Sequence, residues 1–323
     1  MPAVPRLVPP DLVEPVVRGL VGATDVGDGP TAEQLTVLRA VTTHLWERPD
    51  LDPGTLVGTG PAETAAAVAD PAARRRFHEI LFTLETCRHP LSADQVALAE
   101  AYAVALEVTG PDLDLFRTAV AEGTERAAAD FARYLATSVE DRHEAGLAPQ
   151  ASADHPEPEL AARIAGFAEL PADSLGRAYL AFYERHRLGL PGAAAHSMNH
   201  FFVSHDMTHV IAGLEPTAAG EIALSAFQMA MDDNPVNTGA LLCSLVVHEA
   251  GLGSSPTFGS EERVLAEPGA ARLLGEELAR GARCTGDASA ADHFALAPLP
   301  LAEVRERFGV GPPNDPDDGH HHW

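Results

Sequence analysis

The chain has 323 residues, 46% hydrophobic and 21% charged, the composition of a folded protein rather than a disordered one. Its 47 acidic against 22 basic side chains leave a formal charge of -25, so its surface repels phosphate backbones and nucleic acid is not an expected partner. Three scattered cysteines, Cys87, Cys243 and Cys284, suggest neither a disulfide framework nor a cysteine zinc knuckle; with no signal-peptide pattern and no apolar run of roughly 20 residues, a cytoplasmic protein without a membrane span is expected.

A chain of this length exceeds the usual domain of about 100 to 150 residues, so two domains are expected. Residues 1–29, rich in Pro, Gly and Val and closed by GDGP at 27–30, read as a loose arm. From Thr31 the pattern is helical: Leu35, Leu38, Val41 and Leu45 fall on one stripe, Thr31 and Gln34 form a capping-box start, and Pro49 predicts an end near Arg48. Proline-bounded helical segments continue to residue 147, one of them with Ser92 as N-cap and Gln95 three residues on. Nothing in this half asks for a strand. Residues 148–158, APQASADHPEP, read as a linker; 159–308 form a second helical domain, and 309–323 a polar tail ending in GHHHW. The fold class is therefore all-α, two helical domains. The terminal His320, His321 and His322 attract metal but, in an unstructured tail, form no cage.

The chemistry gathers in the segment SMNHFFVSHDMTHVIAGL. On a helix turning about 100° per residue, His205, Asp206 and His209 fall within roughly a 100° arc, and the two histidines form the i, i+4 pair that helical metal sites use. Gly213 is a candidate left-handed C-cap, LEPT makes the turn, and Thr217 caps a second helix whose first turn carries Glu221. So short a connection makes the helices antiparallel neighbours and lets Glu221 face the histidines. Two imidazoles and two carboxylates suit Zn2+; Fe2+ or Mn2+ accept the same set. A glutamate in a first helical turn is also favoured by the helix dipole alone.

His205-Asp206-Met207-Thr208-His209, then the eleven residues VIAGLEPTAAG, then Glu221, resembles the signature of the coenzyme Q (ubiquinone) biosynthesis protein 4 family, HDxxH followed by Glu. GRAYLAFYERH upstream is similar to that family's Gly-x-x-Tyr helix, and GEIAL to the opening of its next helix. The resemblance covers roughly residues 160 to 250. It implies a metal held by His205, Asp206, His209 and Glu221, and oxidative removal of the ring carboxylate of a prenylated benzoquinone precursor, with binding of prenyl lipids. The chain departs from the family where NHFFVS precedes the HD pair and where Ser225 and Gln228 follow GEIAL. In the first half, RRRFHEILFTLETCRHPLSADQVALAEAYAVALEV resembles the tellurite-resistance TerB-like helical domain, although its TCRHPLSADQ stretch is poor in the carboxylates thought to bind metal there.

Other residues have two readings. His196 and His200 are off the face of His205 and read as metal-supporting or surface groups. His248 and Glu249 either complete a pocket or end a buried helix. Phe201, Phe202, Phe227, Met229 and Met231 line a lipid-tail tunnel or pack a core. The expected function is a metal-dependent protein, a decarboxylase or lyase if it is an enzyme, acting on or binding a hydrophobic, aromatic or quinone-like small molecule. Peripheral lipid contact, a protein partner or a homodimer fit the same reading. The alternatives are a metal-stabilised scaffold or lipid-binding adaptor and an HD-type phosphohydrolase, the latter needing a separate upstream His and an Asp on a later helix.

Overall fold

Side-chain caps set the helix starts. Thr31 and Gln34 make the reciprocal capping box, each side chain bonded to the other's backbone, and Asp70, Ser92, Ser174, Thr217 and Asn234 each accept an N–H from three residues on. Proline is the first residue of five of the described helices, where no N–H is needed. In the computed structural model, which describes residues 8–108, 111–141, 144, 147, 154–253 and 260–323, this produces an all-α protein, with no strand among the described residues beyond isolated bridges.

The first half runs α1 Val13–Ala23, α2 Ala32–Ala40, α3 Pro61–Ala67, α4 Pro71–Thr86, α5 Ala93–Ala105, α6 Pro111–Glu122 and α7 Thr124–Asp141. The second runs α8 Pro158–Ala165, α9 Leu175–His186, α10 Asn199–Ala212, α11 Ala218–Met231, α12 Pro235–His248, α13 Ala270–Gly281, α14 His293–Leu296 and α15 Leu301–Phe308. α11 is buried without interruption from Ile222 through Ala230, Ser225 and Gln228 included, which makes it a central helix. It packs on α12 and α13, and α13 lies in turn on α2. One continuous hydrophobic cluster consequently reaches from Val8 to Val310, crossing the expected domain boundary. Of the expected linker, residues 148–153 lie outside the described residues. No described helix is long and apolar enough to cross a membrane.

Three local expectations are corrected. The arm contains α1, whose Val13, Val16, Val17 and Leu20 are buried. The lack of a side chain at Gly22 is what lets α1 press against the Thr59 backbone and the Tyr102 hydroxyl. The helix expected to run to Arg48 is α-helical only to Ala40, then widens into a π turn, Val41–Leu45. The terminal tail is ordered by pairing: His320 O accepts from Glu215 N at 2.9 Å, Gly213 O from His322 N at 2.8 Å, and the Trp323 ring lies 3.5 Å from the Arg305 guanidinium. The tail thus packs against the turn between α10 and α11.

Candidate metal centre

α10 ends at Gly213, whose left-handed φ of 72° turns the chain with Leu214 N donating to His209 O at 3.0 Å. Thr217 then accepts from Gly220 N at 3.1 Å, starting α11 with Glu221 in its first turn. The hairpin converges as the spacing predicts. One ligand atom from each of His205, Asp206 and His209 lies within 4.8 Å of the others. Glu221 reaches both rings, its Oε2 3.0 Å from His205 Nε2 and its Oε1 3.1 Å from His209 Nε2.

The tautomer of His209 carries the argument for a cation. Its Nδ1 is 3.0 Å from Leu214 O, a pure acceptor, so Nδ1 bears the hydrogen and donates. A neutral ring then turns the Nε2 lone pair toward the Glu221 carboxylate, which is repulsive unless a second proton or a metal ion stands between them. The remaining groups sit in the same field. Asp206 is buried, and burial pushes its carboxyl above the usual range against the pull of His205 and His209. Burial would raise Glu221 as well, but the two imidazoles hold it well below the ordinary carboxylate value. Burial works against protonating His209, yet the adjacent Glu221 outweighs it and raises the imidazole. Two carboxylates and two nitrogen donors in one largely buried place match the charge and donor preference of a divalent transition metal, so the residues present fit zinc, iron or manganese.

Asp206 is oriented by aromatic hydroxyls that the spacing argument did not single out. Tyr183, from α9, donates to Asp206 Oδ2 and lies 3.2 Å from the Tyr179 hydroxyl. Burial and the Asp206 charge keep Tyr183 protonated and therefore a donor. The visible signal was Tyr179 and Tyr183 one helical turn apart on the α9 face that meets α10.

Beside the metal groups lies a cavity of about 60 Å³ lined by Met198, Phe201, Ser225, Ser244 and His248 together with His205 and Glu221. Phe201 stacks on His205 at 4.8 Å between centroids. Ser225 and Ser244 share a hydrogen bond of 2.6 Å, and the Nδ1 of His248 is buried without a hydrogen-bond partner. Burial also lowers the pKa of His248, favouring the neutral ring.

The other candidates separate. His196 accepts from Met198 N at 3.0 Å, and His200 faces Glu157 at 2.6 Å, so neither joins the centre. Glu249 diverges from His248 and faces His89 instead. Phe227 and Met229 are core residues, while Phe201 lines the cavity.

No family model matches the chain, and no curated protein is significantly similar to it, which leaves the N-terminal resemblance to the tellurite-resistance domain without support. Among solved structures, a Nostoc punctiforme protein provisionally named a ubiquinone biosynthesis protein matches at 19% identity, over 74% of this chain and 98% of its own, with a TM-score of 0.34. At that level the likeness speaks to neither ligand nor activity.

Proposed function

We propose that the protein holds one divalent metal ion, zinc in the first instance, at His205, Asp206, His209 and Glu221, and that the adjoining cavity receives the polar head of an aromatic or quinone-like molecule. The observation that carries this reading is the His209 ring, tied by Nδ1 to Leu214 O while its Nε2 meets Glu221. A bound metal would supply Lewis-acid polarisation of a carboxylate or carbonyl oxygen. Ser225 and Ser244 offer hydroxyls to such a head group, the neutral His248 can take up a proton, and Phe201 and Met198 exclude water. At about 60 Å³ the cavity is well below the roughly 300 to 1,000 Å³ of small-molecule sites, so a whole ring or prenyl tail enters only if the walls part. The motif's resemblance to the coenzyme Q biosynthesis protein 4 family extends this reading to removal of a ring carboxylate.

A second reading, a metal-stabilised scaffold, is favoured by the closed set of four protein donors, because catalytic zinc sites usually keep one position for water or substrate. The phosphohydrolase alternative is disfavoured because His196 and His200 are both engaged away from the centre.

Elemental analysis of the purified protein beside His209→Ala and Glu221→Gln variants tests the metal. Content that drops by about one equivalent in each supports the site, and unchanged content removes it. Mass spectrometry of copurified small molecules then separates the two readings: a bound aromatic carboxylate or quinone supports the ligand-handling function, and a ligand-free holoprotein supports the scaffold.

A further inference from the structure

A second cluster of donors sits away from the HDxxH hairpin. Glu33 from the first turn of α2, His89 from the turn after α4 and Glu249 at the end of α12 bring one ligand atom each within 4.8 Å of one another. His89 Nε2 is 3.1 Å from Glu249 Oε1. The Glu249 side chain is fully buried, that of Glu33 is 7% exposed and that of His89 15%.

Their partners do not balance the charge. Glu249 Oε2 accepts from Leu265 N at 2.7 Å. Glu33 Oε2 is 3.5 Å from Arg263 Nε, on a side chain 59% exposed and therefore a weak, screened partner. Glu33 Oε1 is buried with no donor group on it, and a hydrogen bond between Glu33 and Glu249 can form only if one of the two carboxyls carries a proton. Leaving a carboxylate oxygen dry and unpaired is costly, and two facing carboxylates require a shared proton or a cation.

We propose that Glu33, His89 and Glu249 bind a second divalent metal ion. One imidazole nitrogen and two carboxylates favour Zn2+, Mn2+ or Fe2+ over Mg2+ or Ca2+, which prefer oxygen donors alone. Donors bound at about 2.1 Å to one ion stand at most about 4.2 Å apart, so a small rotation of the Glu33 carboxylate closes the set and satisfies its unpaired oxygen. The ion would fasten α2 and the turn after α4, from the first half of the chain, to the end of α12 in the second. This site is independent of the HDxxH centre and of any function assigned to it.

Metal analysis of the full chain tests the proposal. Wild type should carry two equivalents, His89→Ala one and His209→Ala one, with Co2+ added to apo His209→Ala giving the visible absorption of a protein-bound ion. Glu33→Gln, which keeps the side-chain shape, should abolish that Co2+ signal in the His209→Ala background while circular dichroism stays helical. A folded His209→Ala protein that takes up no Co2+, or a His89→Ala protein with the metal content of wild type, would overturn the second site and leave a shared proton between the two glutamates.

Discussion

Leu214 holds His209 by its carbonyl: the oxygen lies 3.0 Å from Nδ1, one residue beyond the glycine that ends α10. The same Leu214 forms an isolated bridge with His321 of the terminal tail. The backbone that selects the imidazole tautomer is therefore itself braced by the tail, which links the last residues of the chain to the geometry of the proposed metal site.

Metal removal should destabilise the fold. At free metal 1,000-fold above Kd, a single site that is absent from the unfolded chain contributes about 4 kcal/mol. Chelation should therefore lower the melting temperature of wild type by more than that of His209→Ala, which lacks the hairpin site and keeps only the second one. Superimposable wild-type scans with and without chelator would contradict the metal reading.

Tyr183→Phe removes the hydroxyl that donates to Asp206 and leaves a buried carboxylate oxygen without that donor. Loss of such a supporting hydrogen bond should weaken metal affinity by about 10- to 100-fold, with helix content unchanged. Competition against a chromophoric chelator reads this directly; equal affinities would mean that Asp206 needs no orientation from α9.

The tail should dock in a pH-dependent manner. His321 Nε2 is 3.2 Å from Glu277 and Nδ1 3.0 Å from Asp318, so both nitrogens do best as donors. Burial opposes the charge, but the two carboxylates prevail and raise the imidazole pKa. Asp318 is lowered, because bonds from His320 N and His321 outweigh its burial. The raised histidine stabilises fully below its unfolded value of about 6.5 and loses that contribution as pH climbs through its folded value. The lowered aspartate stabilises above about 3.9 and loses its contribution as pH falls through its folded value. Relative to His321→Ala, wild type should gain about 1 to 3 kcal/mol between these limits, and less at pH 9. Urea midpoints for both proteins at pH 5.5 and pH 9 measure the difference; a gap independent of pH would show that His321 acts without its charge.

Gly213→Ala should cost about 1 to 2 kcal/mol, because its φ of 72° disfavours a side chain and a Cβ would meet His322 O and Trp323 at 3.0 Å. Gly166→Ala, with an ordinary φ of -61° and nothing within 4 Å of the new carbon, should be neutral or slightly stabilising. Denaturant titration of the pair checks the contrast, and equal midpoints would mean that the turn and tail adapt freely.

What could be read without the structure was local. Thr31 with Gln34, Thr217, Gly213 and the hairpin joining His205, Asp206, His209 and Glu221 all depend on residues a few turns apart, where helical geometry sets the distances. What was hidden depends on distant partners. The first 29 residues read as a loose arm until Thr59 and Tyr102 are known to press on α1 at Gly22, and the tail reads as loose until Glu277, Arg305 and the α10–α11 turn receive it. Glu249 and His248 are adjacent in the chain, and only the packing reveals that one faces His89 while the other lines the cavity.

The two donor clusters differ in how early they can exist. All four donors of the hairpin lie between residues 205 and 221, a loop so short that closing it costs little entropy, so a nascent chain can capture metal there before its last helices emerge. Glu33, His89 and Glu249 meet only after helices from both ends of the chain have docked. Occupancy of that second cluster would report completed folding, whereas occupancy of the first would report only a finished hairpin.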